Sequence, residues 1–567
     1  MYVSDRVYEQ KHPEAAGHMD KTETERLIRH CKALAERAAT APRTNAGDIM
    51  QSDSITYRAI AMELKKDDAP ERLPVLMEYL SAPLLYFATF WYRRDLLKDL
   101  RFPYLKQTPR RVKKIGICCR YLRNGGAERC AALLMEIFAG MGKELTLFAG
   151  EAPTEKDYPC PAAVERVVLP QLPHERRTML ELELKKREID TCIFFDHAEW
   201  ITPDDILTAR YCGTRTIVQE HSLFTYPWRI GDPRIAEERD CVYPAVDVLT
   251  VLSRCDETFW RAYPCGIDRC MFMPNPLTFS AVEGHTVPKE KTLLFVGRLS
   301  RDKGALAAVR TLEAILPEHP DAKLLMIGRP DTEGFDAELH RYAESSEALK
   351  KAVIFTGYTT DVAQYYRQGA ILLMPSAFEG YPMTLMEAKA YARPCVMFAM
   401  PYLEAAKHGC IQVPQGDEKA MAQAVCGLFD DPEKLYALGS EAKDSLAEFS
   451  QERVKQLWTE LFAYLETGED KTGLFADTVS AEDKVRHFEI MEKECAVAHQ
   501  ICMNHASYLE RMSEKLIPLY LKDHPLAHLL AKLNEKFPRL CGVVNAIFRR
   551  KKQKREKIMP NGFPSYD

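Results

Sequence analysis

The strongest constraint on this chain is a pattern that occurs twice. Short apolar runs rich in Ile, Leu, Val and Phe alternate with segments of helical periodicity. Apolar runs of this length suit strands buried on both faces, and strands separated by helices suit a parallel sheet built from β-α-β units. The first series starts at VKKIGICCR, passes through the Gly-rich RNGGAER and the helical AALLMEIFAGMG to ELTLFAG, and continues at 191–195, 215–219 and 246–253. The second starts at TLLFVGRL (292–299) and continues with AKLLMIG, AVIFTG, AILLMPS and PCVMFAM. Two doubly wound α/β domains in tandem are expected, with a junction near 274–289.

The flanks read differently. Residues 1–105 read as helical, with Thr22 and Glu25 forming a capping box before a periodic apolar stretch. The apolar stretch 73–92 is long enough to suggest a membrane span, but Glu78, Pro74 and Pro83 favour a buried helical pair. Arg93 and Arg94 follow a cluster of aromatics, which also suits an interfacial segment. Residues 106–285 and 286–450 hold the two α/β halves, 451–470 a crossover helix, and 471–567 a helical extension. That extension ends in an apolar stripe at 526–548 and a run at 549–557 with seven basic residues and one acidic. A solvated tail explains the run; peripheral binding of 526–557 to an anionic membrane surface is the alternative, and the helical flanks are candidates for oligomerisation.

Charge and cysteine usage exclude several classes. The net charge of −5 disfavours generic nucleic-acid binding. The 17 cysteines include no CxxC pair, which points to a reducing compartment and away from a disulfide framework or a zinc site. The first residues lack a secretory apolar region, so a cytoplasmic protein is expected, with peripheral attachment to the inner face of the membrane as an option. No D-x-D triplet and no G-x-G-x-x-G fingerprint occurs, so neither a metal nor a nicotinamide cofactor is expected.

The sharpest motif is SAFEGYPMTLMEAKAYARPCV (376–396), which follows an apolar strand. Open α/β sheets bind ligands at the C-terminal ends of their strands. Pro382 suits the first helical position, and backbone N–H groups around Gly380, Tyr381, Met383, Thr384 and Leu385 would then face an anion. Glu379 lies just before this helix and Glu387 within it, and carboxylates accept hydrogen bonds from sugar hydroxyls. A second motif, VGRLSRDKG (296–304), would add Arg298 and Lys303, a bidentate cation and a point charge, to the same cleft. That pair suits a diphosphate whose charge grows as it departs.

The pattern S-x-x-E-G-x-P-x-x-L-x-E-A at 376–388 resembles the E-x7-E signature of family-4 glycosyltransferases, retaining enzymes of the GT-B fold. The arrangement G-R-L-x-x-x-K-G at 297–304 resembles a second motif of that family. RNGGAERC (123–130) is similar to its Gly-rich loop, in which Gly125 and Gly126 let backbone approach the donor phosphate or the acceptor. PNPL (274–277) resembles the end of the first domain, and FTGYTTDVAQYY (355–366) the segment near the nucleotide base, around Gly357 and Tyr358. The resemblance covers roughly 112–465. It implies two Rossmann-like domains facing a cleft and a nucleotide-sugar donor, most often a UDP-sugar, held mainly by the second half. It implies a glycan, lipid-linked or cell-surface polymer acceptor on the first half, and hexosyl or N-acetylhexosaminyl transfer without a metal. Arg298 and Lys303 would stabilise the diphosphate, Glu387 hold the ribose and Glu379 the donor sugar. His221 is preferred over His197 or Asp196 as the histidine-region contact to the sugar. A glycoside hydrolase using both glutamates, a nucleotide-sugar epimerase, and a non-catalytic scaffold of a polysaccharide assembly are the other readings.

Overall fold

A computed structural model describes residues 111–523 except 124, 172, 196–201, 231–234, 236–238, 240, 241, 244, 245, 263–266, 268, 285 and 360. The helical reading of 1–105, the 73–92 segment, the 526–548 stripe, the basic run and the candidates Asp196 and His197 lie outside the described residues. Residues 104–225 and 239–494 form one compact unit, which holds both sheets.

The first sheet is parallel and seven-stranded, in the order β3-β2-β1-β4-β5-β6-β7. Its strands are β1 (Lys114–Cys119), β2 (Glu144–Ala149), β3 (Glu165–Val168), β4 (Thr191–Phe194), β5 (Arg215–Gln219), β6 (Val248–Val251) and β7 (Cys270–Phe272). The second is parallel and six-stranded, ordered β10-β9-β8-β11-β12-β13. It comprises β8 (Thr292–Val296), β9 (Lys323–Ile327), β10 (Val353–Gly357), β11 (Ile371–Met374), β12 (Cys395–Phe398) and β13 (Cys410–Val413). The apolar runs became strands because both faces are covered: β1, β4, β5 and β6 are buried along almost their whole length. Three strands, β3, β7 and β13, gave no sequence signal. They are three or four residues long and lie at sheet edges, where a short strand needs no continuous apolar run.

The helices used below are α1 (Gly126–Gly140), α2 (Ala305–Ile315), α3 (Met383–Ala390), α4 (Glu418–Phe429), α5 (Gln451–Thr467) and α6 (Ala481–Asp523). In the second half, α2 and α4 pack together over one side of the sheet, burying Leu312, Val425 and Phe429 with Leu293, Met326 and Val396. After that half is complete, α5 returns to the first sheet. Trp458 packs edge-on and Phe462 tilted against Phe138 of α1, with ring centroids at 5.0 and 5.3 Å, within a core that contains Ile115 and Ile117 of β1. Glu466 accepts the N–H of Val112 at 2.8 Å, so the end of α5 also holds the entry to β1. The first turns of α6 continue this return. His487 is hydrogen-bonded to Thr258 at 2.8 Å and buried against it. No helix among the described residues is long and apolar enough to cross a membrane.

Candidate functional site

The strand order of the second sheet creates the site. The chain leaves β8 toward β9 on one side, while β11 pairs with β8 on the other, so β8/β11 is a topological switch point. The loops leaving these two strands therefore face each other. The N–H of Ala377 donates to the carbonyl of Asp302 at 2.8 Å and ties them together. Lys303, on the β8 loop, donates to both carboxylate oxygens of Glu379, on the β11 loop, at 2.8 Å each. Arg298 pairs with Asp302 at 2.8 Å and with Asp331 at 3.0 Å. The structure thus brings Lys303 and Glu379 into direct contact and sets Arg298 beside its own two acidic partners. Gly304, which starts α2, has φ 72° and packs so closely that a Cβ would sit 2.0 Å from the Pro375 carbonyl oxygen. Only glycine allows that approach.

Helix α3 begins one residue later than the sequence predicts. Pro382 is the N-cap, at φ −76° and ψ 93°, and not the first helical residue. A proline cannot supply a side-chain cap, and the first turn of α3 holds no acidic residue, so the positive pole of its dipole is not offset from within the helix. Gly380 lies against the loop after β5: a Cβ there would fall 2.2 Å from the carbonyl oxygen of His221. Tyr381 donates to the carbonyl of Asn275 at 3.5 Å, and burial raises its pKa. Met383 and Leu385 are buried, while the Thr384 carbonyl accepts from Tyr366 at 3.3 Å. These three contribute backbone and packing to the loop.

Glu387 lies on the second turn of α3. It is 4% exposed, because α3 turns its second turn inward. Tyr366 donates to its Oε2 at 2.9 Å, and Arg129, from α1 of the first half, lies 3.6 Å from Oε1. Burial raises the carboxyl pKa, opposed by Arg129 and Tyr366. Gly125 is the N-cap of α1 without a side-chain cap, and the Glu128 carboxylate folds back over it. A Cβ on Gly126 would lie 3.3 Å from Met383 Cγ, so the Gly-rich loop faces the start of α3. Gly357 has φ 74°, and Tyr358 beside it is 47% exposed at the end of β10. Among the described residues, no group of three or more His, Cys, Asp or Glu is placed to hold a metal ion.

Sequence reasoning missed the polar supports. Asn275, within PNPL, is 1% exposed and accepts from Cys130 at 3.2 Å and Gln219 at 3.1 Å. Its amide also reaches the Met383 sulfur at 3.8 Å, so one side chain joins α1, β5 and α3. Beneath His221 lies a buried cluster. Tyr243 donates to Glu220 at 2.6 Å, Arg239 pairs with Glu220 at 3.1 Å, and Asp256 accepts the Phe224 N–H at 3.1 Å. Arg239 also donates to the Phe224 carbonyl at 3.0 Å. The His221 ring packs on Phe195, which follows β4, with centroids 5.6 Å apart. The PNPL motif and the end of RNGGAERC marked Asn275 and Cys130 in advance, and no motif marked Glu220, Arg239, Tyr243 or Asp256.

Comparison with known proteins bears on the same residues. Residues 290–431, which include Arg298, Lys303, Glu379 and Glu387, match the family model described as glycosyl transferases group 1. The chain also superposes on sucrose-phosphate synthase from Thermosynechococcus elongatus with a TM-score of 0.54, at 18% identity over 63% of this chain and 100% of that one. Its core is that of a GT-B glycosyltransferase. HepE of Anabaena, solved in complex with UDP and glucose, shares the fold at a TM-score of 0.51 and 15% identity, over 62% of this chain and 99% of that one. Among curated relatives, the glycosyltransferase is 25% identical to an exopolysaccharide phosphotransferase of Streptomyces coelicolor, over 48% of this chain. The match spans about a quarter of that relative's length (28%). It is 27% identical to the GalNAc-α-(1→4)-GalNAc-α-(1→3)-diNAcBac-PP-undecaprenol α-1,4-N-acetyl-D-galactosaminyltransferase of Campylobacter jejuni, over 44% of this chain and 68% of that one.

Proposed function

We propose that this glycosyltransferase moves a hexosyl or N-acetylhexosaminyl group from a UDP-sugar to a glycan, lipid-linked or cell-surface polymer acceptor, with retention and without a metal ion. The observation that carries the reading is the Lys303–Glu379 pair set against the uncapped N-terminus of α3. A diphosphate arriving there would meet the helix dipole and Lys303, with Arg298 supplying further positive charge from the same β8 loop. Lys303 then transfers part of its hydrogen bonding from Glu379 to phosphate, and Glu379 turns to the donor sugar hydroxyls. The bond from the anomeric carbon to the diphosphate oxygen breaks while the bond to the acceptor oxygen forms on the same face. The acceptor proton passes to the departing phosphate oxygen. Glu387 holds the ribose, Gly125 and Gly126 bring backbone to the donor phosphate or the acceptor, and His221 contacts the donor sugar. The crystallised HepE complex supports UDP as the nucleotide, and the printed activity of the Campylobacter relative supports a lipid-linked acceptor. A hydrolase needs two carboxyl groups free to act as acid and base. Here Lys303 binds one, and Tyr366 and Arg129 hold the other.

The test is slow hydrolysis of UDP-, GDP- and ADP-sugars by the full chain in EDTA, with the anomer of the product followed by NMR. Turnover of one nucleotide sugar with retained configuration is expected. Binding without turnover on any acceptor panel would instead mark a scaffold.

A further inference from the structure

We propose that Arg129 is a positioning residue for the donor: it keeps Glu387 a carboxylate, so that its oxygens can accept the ribose hydroxyls. This rests on the assignment of Glu387 to the ribose made above. A neutral carboxylic acid presents an O–H donor and loses acceptor capacity, so the ionisation state of a buried glutamate decides what it can hold. A carboxylate at 4% exposure needs a compensating cation.

The groups facing Glu387 come from several elements. Tyr366, on Ala363–Gln368, donates to Oε2, and Thr278, after β7, offers a hydroxyl. Tyr158, after β2, lies close enough to feel the charge of both Glu387 and Arg129. Lys389, on α3 itself, is turned away to the carbonyls of Ala405 and His408 at 2.6 Å. Among these groups Arg129 supplies the positive charge. Its guanidinium is steadied by two aromatic rings, Tyr158 at 5.3 Å and Phe279 at 6.0 Å. At 3.6 Å from Oε1 it is beyond ordinary hydrogen-bond length. It therefore lends charge without consuming the acceptor. The consequence is that α1, in the first half, tunes a donor contact in the second.

The experiment follows the Glu387 carboxyl by 13C NMR in glutamate-labelled full-length chain, with Glu387→Gln identifying the signal. It is paired with UDP, GDP and ADP titrations from pH 5.5 to 8.5. In Arg129→Ala the Glu387 midpoint should rise, and affinity for the bound nucleotide should fall at the acid end of the series and recover toward its alkaline end. Arg129→Lys should keep the wild-type midpoint and profile, and it guards against a folding defect in the alanine variant. An unmoved midpoint, or a loss of affinity equal at every pH, would overturn the proposal. If Glu387→Gln binds nucleotide as wild type does, or if wild type binds none of the three, the ribose assignment fails and takes this proposal with it. If Glu387→Gln loses binding while Arg129→Ala is neutral, only the role of Arg129 fails.

Discussion

On the loops that leave β8 and β11 of the second sheet, the charged groups are partly exposed and paired: Arg298 with Asp302 and Asp331, and Lys303 with Glu379. Beyond β5 of the first sheet they are sealed: Glu220, Arg239, Tyr243 and Asp256 are each 3% exposed or less. Both halves are parallel sheets with the same winding, so fold does not explain the contrast. Partly exposed pairs are worth less to stability than buried ones and can exchange a partner for a ligand. Buried groups cannot lose a partner without leaving an uncompensated charge. The second half is therefore built to trade contacts, and the first to hold the loop carrying His221 against Gly380.

Breaking the sealed cluster should have the largest effect. Arg239→Ala strands the Glu220 carboxylate, and urea unfolding should show a loss of about 3–5 kcal/mol. Lys303→Ala, in the partly exposed set, should leave the urea midpoint nearly unchanged yet reduce nucleotide-sugar turnover about 10²–10³-fold. If instead Lys303→Ala unfolds the protein and Arg239→Ala does not, the contrast between the halves is reversed.

Asp256 sharpens it further. Burial pushes its carboxyl pKa up to about 7. The folded protein thus holds a proton that the unfolded chain releases above its ordinary value of about 3.9. The sign follows: this group's contribution is fullest below about pH 4, declines as pH rises to about 7, and is flat beyond. Asp256→Asn keeps an acceptor for the Phe224 N–H and removes the slope, so at pH 7.5 it should gain on the order of 1–3 kcal/mol over wild type. A pH series of urea melts checks this. The smallest effect belongs to Asp331→Asn, an exposed partner of Arg298, where the stability change should stay within about 1 kcal/mol.

The sequence made the strands and the motif loops legible because burial on both faces writes a continuous apolar run, and a strand-end loop must follow it directly. Arg298, Lys303 and Glu379 were visible for that reason. The pairings were not. Lys303 meets Glu379 only because β8 and β11 are neighbours in the sheet, which spacing along the chain does not reveal. Arg129 reads as one more basic residue after two glycines, and its contact with Glu387 depends on how α1 faces α3. Glu387 reads as a hydroxyl acceptor on a helix, and nothing in the spacing marks it as buried. Its burial comes from an eight-residue helix enclosed on nearly every side. Pro382 was misplaced by one residue because a proline before a helix suits either the cap or the first turn.

The central claim is that the donor binds at the partly exposed charges beyond β8 and β11. Thermal shift with UDP-, GDP- and ADP-sugars in EDTA, on wild type beside Lys303→Ala and Arg298→Ala, tests it most directly. Stabilisation by one nucleotide sugar, lost in both variants, is the predicted result; stabilisation that survives in both variants would contradict it.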